Sequence, residues 1–94
     1  MTRLLFAPVA FRDLERLAAF LLESDPLAAA ATTDLMISGL AILRDHVLIG
    51  RKVEHGLREL MISRGRSGYV ALYRYDAESD TALVLGLRHQ RENA

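Results

Sequence analysis

Arginine and histidine are the residues of this chain best suited to engage a phosphate or a carboxylate. Twelve basic side chains occur in 94 residues, and Lys52 is the only lysine among them. A planar guanidinium grips an oxyanion in bidentate fashion, which an ammonium cannot do. The basic residues are unevenly spread. Residues 1–50 carry a net charge of −2 and residues 51–94 a net charge of +2, within a total of zero. The window Arg51–Arg74 sets Arg51, Lys52, Arg58, Arg64, Arg66 and Arg74 against Glu54 and Glu59. Together with Arg88 and Arg91, its arginines are the candidate contacts to a target or partner. Arg58, Arg64, Arg66 and Arg74 are candidate phosphate partners, and His89 is a candidate general acid or base. Each has a plainer alternative. Arg58 beside Glu59 and Arg74 near Asp76 equally suit cross-strand ion pairs, and His89 suits a structural place at the end of a strand. Tyr69, Tyr73 and Tyr75 favour cross-strand packing over a base-stacking platform. His46 and His55 form no recognisable metal motif. The chain has no cysteine, which excludes disulfides, zinc–cysteine sites and thiol catalysis. Neither a metal nor a cofactor is expected.

The elements that must position these residues fall into two halves. Leu4, Leu5, Phe6 and Val9 predict a short first strand, closed by Pro8. Phe11 to Glu23 predicts a helix, with Leu14, Leu17, Ala18, Leu21 and Leu22 on one stripe. Ser24-Asp25-Pro26 breaks and restarts it, Asp25 capping and Pro26 filling the first helical position. The second helix is expected from Pro26 to about Arg44. Met36, Leu40, Leu43 and Val47 form its stripe, and Leu35, Ile37 and Ile42 widen it, so that it should be covered on more than one side. After Gly50 the period changes from 3.6 to 2. Leu57–Arg64, Tyr69–Asp76 and Ala82–His89 predict three strands, turned by Gly65-Arg66-Ser67-Gly68 and Ala77-Glu78-Ser79-Asp80. The fold class is α+β in the order β-α-α-β-β-β, a helical hairpin packed on an antiparallel sheet. Strict alternation groups Leu83, Leu85, Leu87 and His89 on one face of the last strand, with Ala82, Val84, Gly86 and Arg88 opposite. Both faces of the meander are partly apolar, and alternation leaves open which one meets the helices.

The length fits a single domain, residues 1–94. A domain this small buries only about 60–70% of its unfolded surface, so a stabilising partner is in keeping with it. The N-terminal apolar run is too short for a signal peptide. Asp34, Arg44 and Asp45 are expected to keep every apolar stretch below the roughly 18 residues of a membrane helix. No membrane association and a cytoplasmic location are therefore expected.

Six local motifs, spread over nearly the whole chain, resemble those of bacterial type II toxin–antitoxin toxins, the RelE/ParE superfamily. Phe11-Arg12-Asp13-Leu14, with Ala10 before it, resembles the opening of that family's first helix. Ser24-Asp25-Pro26-Leu27-Ala28-Ala29 resembles the start of its second. Ile49-Gly50-Arg51 resembles the loop that follows, and Leu57-Arg58-Glu59-Leu60 the next strand. Ser67-Gly68-Tyr69 through Tyr73-Arg74 and Leu87-Arg88-His89-Gln90-Arg91 resemble the last two. The resemblance implies a toxin of a plasmid-stabilisation or stress-response module, silenced by an antitoxin whose extended, partly helical tail wraps it. It leaves the target open, because fold alone does not fix function. ParE-type members poison DNA gyrase, whereas RelE-type members cut messenger RNA on the ribosome.

The two activities make different demands. RNA cleavage requires an activated 2′-hydroxyl, a general acid for the leaving oxygen and cations for the phosphate. The family's RNases meet these with sheet Lys and Arg and a Tyr near the C-terminus, or with a Glu base and a His. Here Arg58, Arg74 and His89 would have to serve. Lysine is reduced to Lys52, and no Tyr follows His89 in Gln90-Arg91-Glu92-Asn93-Ala94. Zero net charge is also a poor match for ribosomal RNA. The expectation is therefore a ParE-like inhibitor that acts by binding gyrase. The alternatives are a ribosome-dependent mRNA endonuclease, with ribosome and mRNA as partners, and a family member without toxicity.

Overall fold

The computed structural model describes residues 1–23, 25–64 and 67–90, the side chains of 63, 64 and 67 apart. The elements are β1 (Arg3–Phe6), α1 (Pro8–Leu22), α2 (Pro26–Ala41), β2 (Arg51–Lys52), β3 (Arg58–Arg64), β4 (Ser67–Asp76) and β5 (Thr81–His89). Short 3-10 turns occupy Ile42–Arg44 and Glu54–Gly56. The expected order is present, with β2 added between the helices and the meander. Two residues are too few for periodicity to reveal. Pro8 and Val9, expected with the first strand, are helical. Pro8 stands at the first helical position, where its missing N–H leaves no bond unmade. Asp25 caps α2 as expected, its carboxylate accepting from the Ala28 N–H at 3.1 Å.

The sheet order is β1-β5-β4-β3-β2. Strands β3, β4 and β5 form the antiparallel meander, but β1 lies parallel to β5, with Leu4 opposite Ala82 and Phe6 opposite Val84. The sheet is therefore mixed. Hairpin-linked strands must run antiparallel, whereas β1 and β5 are joined only through the rest of the chain and are free of that constraint.

One face of the sheet carries the core. Met36, Leu40 and Leu43 from the second helical segment and Ala10 and Leu17 from α1 pack on Ile62, Tyr69, Ala71, Tyr73, Ala82, Val84 and Leu87. The membership of β5 corrects the strict alternation expected there. Leu72 pairs with Gly86 and the adjacent Tyr73 with Val84, so that Leu85 is an extra residue, a β-bulge. The bulge reverses the phase. Ala82 and Val84 share the helix-covered face with Leu87 and His89, while Leu83 joins Gly86 and Arg88 opposite.

The helices are more apolar, and barer, than expected. The segment Pro26–Arg44 is 19 residues long with mean hydropathy 1.5, long and apolar enough by length and composition to cross a bilayer, despite Asp34. It packs on the sheet through one side only, and Leu27 and Ile37 are exposed. The expectation that it is covered on more than one side holds in part: α1 packs against it as well as β3, while Ile42 is exposed along with Leu27 and Ile37.

Candidate functional site

The helices leave one sheet face uncovered, and a charged trough lies on it. Register places Glu59 and Met61 of β3, Val70 and Leu72 of β4, and Gly86 and Arg88 of β5 on this face. Arg51 of β2 lies opposite Glu59. The Arg51 guanidinium meets Glu59 Oε1 at 2.7 Å, and the Arg88 guanidinium reaches across β4 to within 3.6 Å of Oε2. One carboxylate thus serves two arginines, from strands on either side of β4. Two hollows flank this bridge. One of about 290 Å³ is lined by Arg51, Met61, Val70 and Gln90, and the other, of about 360 Å³, extends over Leu72 and Gly86 to Asp13 and Arg16 of α1.

Asp13 closes the far end of the trough for a reason rooted in the sheet edge. Strand β1 accompanies β5 only as far as Val84, whose carbonyl accepts from the Ala7 N–H at 2.8 Å. Beyond it the edge of β5 is open, and Asp13 Oδ2 accepts from the Leu87 N–H at 2.9 Å. Gly86 eases this approach, since a Cβ there would stand 3.3 Å from the same oxygen, a tight contact. The other oxygen of Asp13 lies 3.8 Å from the Arg16 guanidinium. Nothing in the sequence pattern reveals this tie, which spans 74 residues.

The candidate acid–base set is not assembled. Arg58 and His89 both belong to the helix-covered face, opposite Tyr73 and Tyr69 respectively, roughly 13 Å apart along β4. Arg74 lies on the other face, paired with Leu83. Arg58 has a structural task. Its guanidinium donates to the carbonyls of Leu48 and Gly50 at 3.0 and 2.8 Å. Beside it the buried Tyr73 hydroxyl donates to the Val47 carbonyl at 2.6 Å and accepts from the Gly50 N–H at 2.9 Å. Together they pin the 47–50 loop to the sheet. His89 packs edge-on against Tyr69, ring centroids 5.3 Å apart. Of the candidate contact arginines, Arg51 and Arg88 line the trough. Arg66 and Arg91 lie outside the described residues, and of Arg64 only the backbone is described. Glu59 and Asp13, absent from the expected site set, are the residues that sequence reasoning missed. Both lie in motifs it had singled out, which is the signal that could have pointed to them.

Comparisons with known proteins agree with this architecture. A family model described as the ParE toxin of the type II toxin–antitoxin system parDE matches residues 4–94. Toxin RelE3 of Caulobacter vibrioides is 38% identical over 85 residues, covering 90% of each protein. Among solved structures, a chain of the chromosomal ParDE toxin–antitoxin system from P. aeruginosa superposes with a TM-score of 0.80 at 19% identity, covering 95% of this chain and 96% of that one. A chain of the intact E. coli RelBE toxin–antitoxin complex superposes at 0.69 with 14% identity, covering 99% and 100%. At such identities the two structures speak for the fold alone, two helices on a five-stranded mixed sheet. The family model and the sequence relative go further: this chain belongs to the ParE toxin family of type II toxin–antitoxin systems, within the RelE/ParE superfamily.

Proposed function

We propose that this toxin inhibits DNA gyrase by binding it, and that a cognate antitoxin silences it. The observation that supports binding over chemistry is the composition of the trough. Its guanidiniums are matched by Glu59 and Asp13, and among the described residues of that face there is no His, Lys or Tyr to act as general acid. His89 and Arg58 belong to the covered face. A partner is in keeping with the apolar exposure of the hairpin, where Phe20 is 78% and Leu27 84% exposed and Leu22 is exposed as well. Exposed apolar side chains in such number are in keeping with an interaction surface, and an amphipathic segment laid on such a surface is a common mode of recognition.

A ribosome-dependent endonuclease is the second reading, and Glu59 favours it. A carboxylate held between two arginines has the parts of a base flanked by phosphate-binding cations. The test is to assay the purified chain in plasmid supercoiling by gyrase and in mRNA cleavage on translating ribosomes, side by side. Loss of supercoiling with intact mRNA is the expected outcome. Cut mRNA with unimpaired gyrase would establish the second reading.

A further inference from the structure

We infer that Glu59 is a specificity-determining residue: a built-in counterion that denies the trough to nucleic-acid phosphates and reserves it for protein. This deepens the proposed gyrase reading and rests on it. A phosphate entering the trough would sit where guanidiniums converge, and Glu59 already holds that place. Its two oxygens meet Arg51 at 2.7 Å and Arg88 at 3.6 Å. The next arginine along, Arg16, faces Asp13 at 3.8 Å, and Asp13 is itself fixed by the Leu87 N–H. The floor between them is apolar, with Val70 buried and Leu72 beside it. Such a surface suits a protein segment that brings apolar side chains and a neutral or paired polar group. It suits a polyanion poorly, because phosphate binding draws its strength from cations whose counterions are released freely. A carboxylate tethered to the sheet is not released.

Replacing Glu59 should therefore open the trough to RNA. The probe is a fluorescein-labelled single-stranded oligoribonucleotide of about twelve nucleotides, titrated with the purified full chain over a range of salt. Glu59→Gln is expected to bind it about tenfold more tightly at low salt. The slope of log affinity against log salt should steepen by about one, as for one or two newly available cations. Glu59→Asp keeps a carboxylate and the fold but shortens the reach, and should give a smaller gain. Adding Arg51→Gln and Arg88→Gln to Glu59→Gln should cancel the gain. An unchanged affinity and slope in both single variants, with melting curves showing both folded, would overturn the inference. So would a gain that survives loss of the two arginines. The readout needs neither gyrase nor ribosome, so failure of the gyrase assay leaves this result separately interpretable.

Discussion

Tyr73, Gly50 and Arg58 show motif residues acting as architecture. The Tyr73 side chain is fully buried, and its hydroxyl both donates and accepts within the 47–50 loop. Tyr73→Phe removes both bonds and leaves the Gly50 N–H and Val47 carbonyl short of a partner, so a loss of about 1–3 kcal/mol is expected. Gly50→Ala is expected to cost a comparable amount by overpacking, because a Cβ there would stand 2.5 Å from the Tyr73 hydroxyl oxygen. Thermal melts of both variants check this, and a Gly50→Ala melt equal to that of the parent would contradict it. Asp80, in the turn between β4 and β5, contributes to the response to pH. The Thr2 hydroxyl, then the Tyr75 phenol, holds its carboxyl below the ordinary value. Its contribution to stability is thus present above the unfolded value of about 3.9 and is lost as pH falls through the folded value. The Tyr75 phenol is raised, chiefly by the hydrogen bond to Asp80. Its contribution is present below about 10 and is lost as pH rises through its folded value. Asp80→Asn should accordingly flatten both the acid and the alkaline limbs of a melting-temperature profile against pH.

Strand β5 is where sequence and structure part most instructively. The change of period after Gly50 made the meander legible, and Asp25-Pro26 made the helical break legible, because both are written in residues within a few positions of each other. The bulge at Leu85 was not legible from alternation, since Leu83, Leu85 and Leu87 look equivalent and only register distinguishes them. Gly86 inside the aliphatic run was the available sign, as an isolated strand glycine often marks a bulge or a close approach. The two-residue β2 and the Asp13 bond to Leu87 depend on tertiary placement and have no local signature. The Arg58, Arg74 and His89 set failed to assemble for a related reason: identical spacing rules carry residues to opposite faces once register is fixed. The role of Asp13 leads to a further expectation. Asp13→Ala should release the Leu87 amide and speed its hydrogen exchange well above that of Ala71 on the neighbouring central strand, whereas Asp13→Asn, which keeps an acceptor, should largely preserve protection. Equal exchange in both variants would show that the edge is not held by this carboxylate.

The molecule presents two distinct surfaces, an apolar helical hairpin and a charge-matched trough on the far side of the sheet. A toxin that works by occupancy should lose potency only through lost contacts or lost fold. His89→Ala, which removes one edge-on ring contact with Tyr69, is thus expected to destabilise by about 0.5–1.5 kcal/mol and to leave toxicity on induced expression nearly unchanged. A general acid or base at that position would instead slow the chemistry about 100- to 10,000-fold in a folded protein. Co-expression with the product of a neighbouring short reading frame should yield a stable complex, in which Phe20→Asp or Leu27→Asp weakens binding. Occupancy and turnover separate most sharply in stoichiometry. Titrating a fixed amount of gyrase with the purified chain, and measuring the supercoiling activity that remains, should give a decline that ends near equimolar addition. Full gyrase activity at a large molar excess, together with mRNA destroyed on ribosomes by a small fraction of an equivalent, would contradict it.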